Sequence, residues 1–588
     1  MTDLKTIPVE TDVLIIGGGL AGCMAAIKAA ETKGLKVTLV DKSNTVASGC
    51  AGSGIDHIWA YIPPIHEKMG YTIEDMAEDH RVGIAFNFLR KDLFYLVAGT
   101  AYERVLDLER FGLNFRFEDS KAPGKFRIVY QFHSVPDTFN WDGRPVKVKL
   151  TREAKKRGVE IINRVQMTDL IESEGRIAGA AGVGTRTGDI YFFKAKAVVL
   201  ATGRSNRLSR NLTGIDFNTR VAPTLTGDGT WMAINAGLPI INIEFLGPRL
   251  VAPCGGYNPP YGDPRNTVQP AARIVNGDGT VIVPRTHFYD WDNLGNGRID
   301  VAETRRKWLE ERRQWHGGRM GLPKRVTQGE GPFYLDFAEA TDYEKAYIRW
   351  SISNEGKGTQ FLRYFEGEEG QDLRDASQEY CGWWSREMAG TAAKGLWVDK
   401  DLETGIRNLF GAGDEVGGMP WAAGPGALTM GWHAGGMAAQ RAREEKAHLP
   451  VRDDKVKIRR ELCSQILSRD EGIHWKEVEL YVQNLVDFYC GDVRGEGLLK
   501  RGLERIDYAR TASFKAENPH DLARSLEVMS IIDNAELLLR SSIERKETRL
   551  SFGFRRAEYP DQDDTNWLAF LAIRKEGTNF ELTKMPIE

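Results

Sequence analysis

Residues 12–41 read DVLIIGGGLAGCMAAIKAAETKGLKVTLVD. Residues 12–16 are a short β-branched run, 17–22 a glycine turn, 23–30 an alanine-rich helical stretch, and 35–40 a second apolar β-branched run. The order is strand, turn, helix, strand. Each glycine has a mechanical reason: Gly17 permits the tight turn, Gly19 lets backbone approach a pyrophosphate, and Gly22 lets the helix pack on the strand. The helix N-terminus, reached through Leu20 and Ala21, supplies N–H donors to phosphate. Asp41 ends the second strand, with Lys42 after it, where a carboxylate can accept from a ribose hydroxyl. A lone Gly-x-Gly-x-x-Gly is weak evidence, but here the strand before it, the helix after it and the acid about twenty residues on all agree. An ordinary glycine turn in an α/β sheet would leave Asp41 unexplained.

Three further segments share the work. Residues 43–64, SNTVASGCAGSGIDHIWAYIPP, are small and then aromatic, so that backbone near Ser48 and Gly49 can thread beneath a large planar cofactor. Helical spacing covers 72–113 and 145–158. Short strands follow at 160–163, around Gly175 and Gly188, and at 196–201, the last closing in Ala201, Thr202 and Gly203. A β-rich segment closed by A-T-G implies a Rossmann-like cofactor domain split in sequence. Residues 407–414, RNLFGAGD, run from an apolar strand into Gly413 and Asp414, and Gly426, Ala427 and Leu428 open a helix of small residues. Asp414 suits a ribityl or ribose hydroxyl, and the helix N-terminus near Ala427 can face a negatively charged flavin ring.

The chain has 588 residues, too many for one ordinary core, and roughly two to four domains are expected. We expect an α/β fold: a cofactor domain in two parts, 1–238 and 391–450, an inserted α+β cap at 239–390, rich in Pro, Trp, Tyr and Arg, and a helical domain with an extended tail at 451–588. The net charge of −3 gives no sign of nucleic acid or an anionic membrane surface as partner. No secretory signal opens the chain, and a cytoplasmic protein is expected, with membrane association only through a partner. The six cysteines are dispersed, no two within twenty residues of each other, so neither a cluster motif nor a disulfide framework is encoded. Any iron–sulfur carrier is expected on another polypeptide.

The fingerprint at 12–41, TGDGTWMAINAG at 226–237 and LFGAGD at 409–414 resemble the fumarate reductase and succinate dehydrogenase flavoprotein superfamily. Within it the chain looks most like the α-subunit of adenylylsulfate reductase, through VETDVLIIGGGLAG, GLKVTLVDK, FKAKAVVLATG and RKETRLSFGFRRAEYPDQDDTNWLAF. The resemblance implies FAD, with Asp228 among the residues that hold it, a two-electron reaction at the flavin, and a ferredoxin-like iron–sulfur subunit. Covalent attachment in the fumarate reductase branch uses a histidine; the matching stretch here reads Ser48, Gly49, Cys50, so non-covalent FAD is expected. The arginine-bearing segment of that branch is replaced by Trp421–Leu428, WAAGPGAL, and the histidine before the last turn by Thr391, Ala392 and Ala393. Trp59 takes the place of an asparagine, while Trp231 matches a tryptophan near the flavin.

Near the flavin, His57, Trp59, Tyr61 and Trp231 could stack on a planar substrate, although aromatics beside a cofactor loop are more often packing. In the cap, Arg249, Arg265, Arg285 and His287 could bind an anion or donate protons, against a default of solvated or ion-paired arginine. Trp383, Trp384 and Arg386 precede the returning cofactor strand, where a domain seam is the plain alternative. Residues 290–303, DWDNLGNGRIDVAE, follow a calcium-loop order apart from two extra residues, Asn293 and Leu294. Asp290, Asp292, Asn296, Asp300 and Glu303, with the Arg298 carbonyl, would be the ligands; otherwise the turn merely caps the next helix. The expected activity is an FAD-dependent oxidoreductase passing electrons between a small substrate and the iron–sulfur partner. The alternatives are a flavin relay without its own substrate and the α-subunit of an adenylylsulfate reductase.

Overall fold

The computed structural model describes residues 4–118, 124–129, 133–210, 217, 222–246, 251–253, 273–283, 300–315, 329–342, 344–346, 350, 372–375, 378–382 and 393–587. Its cofactor half is built on β1 (Thr6–Ile16), α1 (Leu20–Ala29), β2 (Val37–Asp41), β3 (His57–Trp59), α2 (Ile73–Gly83), α3 (Lys91–Arg110), α4 (Val146–Lys156), β4 (Glu160–Asn163), β5 (Val165–Ser173), β6 (Arg176–Gly184), β7 (Ile190–Leu200), α5 (Asp228–Asn235), β8 (Leu409–Gly411) and α6 (Ala423–Glu444). One sheet runs β4-β2-β1-β7-β6-β5, with β8 beside the end of β7. Val13 pairs in parallel with Val37 on one side and Ala197 on the other. That central position buries both faces of residues 13–16 and explains their unbroken apolar run. β1 begins earlier than its apolar run because residues 6–10 also pair with 190–194.

The stretch 72–113 is two helices rather than one. Phe86 and Asn87 adopt left-handed backbone at φ 50° and 67°, which no helix continues through. Asn87 is tied back to Arg81, its N–H donating to the Arg81 carbonyl at 2.8 Å. Beyond residue 451, helices Asp454–Ser468, Trp475–Tyr489, Glu496–Arg510 and Pro519–Glu544 bear out the helical expectation. Within the expected extended tail, Ala569–Glu576 and Asn579–Pro586 pair as an antiparallel hairpin. It joins a four-stranded sheet with Ile240–Ile241 and Gly395–Leu396, the places where the chain leaves and re-enters the cofactor half.

The C-terminal motif has a physical reading. Arg545, Glu547, Arg549 and Arg556 are buried, and Glu547 receives Arg545 at 2.9 Å and Arg549 at 2.7 and 2.8 Å. Arg545 also reaches Glu244 at 2.6 Å. Arg556 donates to the carbonyls of Ser542, Ile543 and Arg545, closing the end of the Pro519–Glu544 helix. Among the described residues no helix is long and apolar enough to cross a membrane. Glu547→Ala leaves two buried guanidinium groups without their shared carboxylate and is expected to cost about 3–5 kcal/mol. The shift of the urea unfolding midpoint followed by tryptophan fluorescence measures it, and an unchanged midpoint contradicts it.

Candidate functional site

The glycine patches converge on one cavity. The first lends it Gly17, Gly19, Leu20, Ala21, Asp41 and Lys42, and the next segment adds Ser48 and Gly49. The end of β7 contributes Ala201, Thr202 and Gly203, α5 contributes Asp228, and the last patch contributes Asp414 and Ala427. Gly22, Gly413, Gly426 and Leu428 do not line it. A β-carbon at Gly22 would fall 1.7 Å from the Gly17 carbonyl oxygen, and one at Gly413 would lie 2.9 Å from Ala21 Cβ. These positions draw the walls together, and Leu428 and Gly426 are buried in the seam behind them.

The cavity fits a dinucleotide. α1 starts at Gly19 with no side-chain cap and no acid in its first turn, so its leading N–H groups are left to a ligand. A β-carbon at Gly19 would meet nothing within 4 Å, which is the space a close-lying pyrophosphate needs. Asp41 shapes this loop, accepting from the N–H of Gly18 and of Ser43, each at 2.6 Å. Lys42 is held by Asp228 at 2.8 Å, Thr226 at 2.9 Å and Glu527 at 3.0 Å. Sequence reading missed Arg204, directly after A-T-G, which lines the cavity and donates to Asp414 at 2.6 and 2.9 Å. Asp414 therefore meets a cation before any hydroxyl. Below it, burial raises the Glu415 carboxyl above its ordinary range, against Lys394 and the Thr202 and Thr230 hydroxyls, which act the other way.

Of the proposed substrate groups, His57 lines the cavity, and its Nδ1 pairs with the buried Asp56 carboxylate. Trp59 does not line it. Its ring is fully buried among Phe94, His80 and His133, and its Nε1 donates to the Trp421 carbonyl at 3.0 Å. Trp231 does not line it either, lying under Arg459 with the guanidinium 5.2 Å from the ring. Tyr61 donates to the Tyr71 carbonyl at 3.2 Å. Trp421 itself lines the cavity with left-handed backbone, φ 59°. The preceding Pro420 carbonyl accepts from His80 Nε2 at 2.9 Å, and His80 is backed by His133 and then Asp137. Because a carbonyl only accepts, Nε2 carries the His80 proton, and burial keeps that imidazole's pKa well below its ordinary value.

Arg249, Arg265, Arg285, His287, Trp383, Trp384 and Arg386 lie outside the described residues, as do Asp290, Asp292, Asn296 and Arg298. Of the calcium candidates, Asp300 accepts from the Glu303 N–H at 3.0 Å at the start of the Val301–Trp315 helix. Glu303 is committed to Arg306 and Lys307, which lower its pKa to about 2. Both described members therefore do the work of a helix cap and its ion pairs. Among the described residues no group of three or more His, Cys, Asp or Glu side chains could hold a metal ion.

This geometry defines a dinucleotide-binding protein of Rossmann-like fold. Residues 12–297 match the family described as FAD binding domain, and 479–588 match the fumarate reductase flavoprotein C-terminal family. A polypeptide of the CoM/CoB fumarate reductase of Methanothermobacter marburgensis is 25% identical, the match covering 92% of this chain and 93% of that one. The fumarate reductase flavoprotein of Escherichia coli is 22% identical over 95% of this chain and 90% of its own. In fold, the chain superposes on adenylylsulfate reductase of Archaeoglobus fulgidus with a TM-score of 0.83 at 23% identity, covering 99% of this chain and 97% of that one. By these two family matches and its relatives, the protein is an FAD-dependent oxidoreductase of the fumarate reductase and succinate dehydrogenase flavoprotein type.

Gly19→Val is expected to leave the apoprotein folded, since its side chain enters open space, yet to raise the FAD Kd on the order of 10–100-fold by displacing charge-assisted backbone hydrogen bonds. Flavin fluorescence titration reads this. Unchanged affinity would place the pyrophosphate elsewhere.

Proposed function

We propose that the protein is the flavoprotein component of a two-component oxidoreductase, moving two electrons between a small substrate and non-covalently held FAD and passing them singly to a ferredoxin-like iron–sulfur protein. The observation that carries this is the one cavity where the uncapped α1 N-terminus, Asp41 and Arg204–Asp414 meet His57. FAD, when bound, supplies the exchange between two-electron and one-electron chemistry. The chain supplies the rest. Asp56 orients His57 and keeps its proton on Nδ1, so that proton exchange with substrate falls to Nε2. Where relatives bearing the name fumarate reductase are expected to carry a substrate-clamping arginine, residues 421–428 here present Trp421, so the wall is aromatic instead of cationic.

Four measurements test this reading. Acid precipitation should leave the yellow FAD in the supernatant; flavin in the pellet contradicts non-covalent binding. Iron and sulfide analysis should find no cluster on the isolated chain, with several irons per complex when the partner co-purifies. Dye-linked assays should show weak or no turnover of fumarate, succinate and adenylylsulfate, and rates matching authentic enzymes for any of these would name that substrate instead. With the true substrate, His57→Ala should lower kcat by about 10²–10⁴-fold, the range of a lost acid–base group.

A further inference from the structure

Lys147, on α4, lies behind the glycine loop. The residue is 1% exposed, its ammonium donates to the Gly18 carbonyl, and Cys23 Sγ is 3.1 Å away. Among the described residues no carboxylate stands within ion-pairing distance of it. Other buried cations around the cavity face carboxylates: Lys42 pairs with Asp228 and Glu527, Arg204 with Asp414, and Arg207 with Glu479 and Glu527, while Lys394 lies in the field of Glu415 and Asp414. A buried ammonium without a counter-ion is costly, and the positive end of α1, whose N-cap Gly19 is one residue beyond Gly18, makes the position worse.

The peptide between residues 18 and 19 resolves this. Its carbonyl belongs to Gly18 and its N–H to Gly19, and in a trans peptide the two point in opposite directions. The carbonyl is held by Lys147, and Ser48 Oγ donates to it at 2.9 Å. The Gly18 N–H is fixed in turn by Asp41. With both neighbours fixed, the Gly19 N–H is directed to the opposite side and polarised by the cation behind it.

We propose that Lys147 is a positioning residue for a diphosphate: its counter-charge is the pyrophosphate of the bound dinucleotide, reached through the 18–19 peptide. The inference rests on the cavity being the FAD site. It predicts effects of opposite sign on the empty and the loaded protein. Lys147→Met removes an uncompensated buried charge, so the apoprotein should melt no lower than wild-type apoprotein. Its FAD Kd should rise by about tenfold or more, with a shallower dependence on ionic strength. ADP, a diphosphate without the flavin, should lose affinity by a similar factor, and riboflavin should not.

Fluorescence titration with FAD, ADP competition and melting of apo and loaded forms decide the matter. An FAD Kd within twofold of wild type overturns the proposal, as does apo Lys147→Met melting lower in step with the loaded form, which would mark a purely structural lysine. Cys23→Ser should leave the FAD Kd unchanged. If it weakens FAD as much as Lys147→Met, the thiol supplies the counter-charge and the proposal fails. Wild-type apoprotein that binds no FAD at all would instead defeat the reading of the cavity.

Discussion

Backbone-to-backbone contact along one seam is the constraint on which the site depends. α1 is drawn against its own loop until Gly17's carbonyl fills the place of a side chain at residue 22. On its other flank, Gly431 and Gly435 of α6 lie so close that β-carbons there would fall 2.3 and 2.2 Å from the Ala21 and Ala25 carbonyl oxygens. Only residues without side chains allow two helices to approach so nearly. That approach brings Asp414 and Ala427, distant in sequence, to the loop at 17–19, so the small-residue composition of α6 and the completeness of the cavity are one fact.

The sequence made the local parts of this arrangement legible. The β1-α1-β2 unit shows in glycine spacing and in alternating apolar and alanine-rich runs, because both arise from contacts within thirty residues. The break between α2 and α3 shows only faintly, since Asn87 suits left-handed backbone but Phe86 beside it carries no turn signature. The C-terminal hairpin escapes sequence reading because its partner strand, Ile240–Ile241, is far away along the chain. Trp59 and Trp231 have the chemistry of flavin neighbours and the positions of core residues. An aromatic side chain satisfies a core as readily as a ligand, and sequence gives no direction. Lys147 is invisible for the converse reason: nothing in KVKL tells a buried lysine from a solvated one, and Lys149 on the same helix is only partly buried.

Charge inside the protein links the cavity to the helical region. Lys42 touches Glu527 on the Pro519–Glu544 helix, and Glu527 also holds Arg207, which in turn holds Glu479. Burial alone would raise the Glu527 carboxyl, but Lys42, Arg207 and Arg524 outweigh it and hold the group below its ordinary range. The floor of the cavity is thus fastened to two helices of the C-terminal half by alternating charges, each with more than one partner. Such a network fixes relative position more than it adds stability, because its desolvation cost offsets much of its attraction.

The sheet that joins residues 240–241, 395–396 and 569–586 bears on how the protein is made. Ile240–Ile241 emerges from the ribosome first, Gly395–Leu396 more than 150 residues later, and Ala569–Glu576 later again. Until both have appeared, a fully buried pair of isoleucines has open hydrogen-bonding edges on either side. The cofactor half therefore cannot finish folding in the order of its synthesis. Nascent chains pass through a stage in which the glycine loop is built but the strand leading into the insertion is still waiting, and that is the stage at which chaperone holding or ribosome pausing would act.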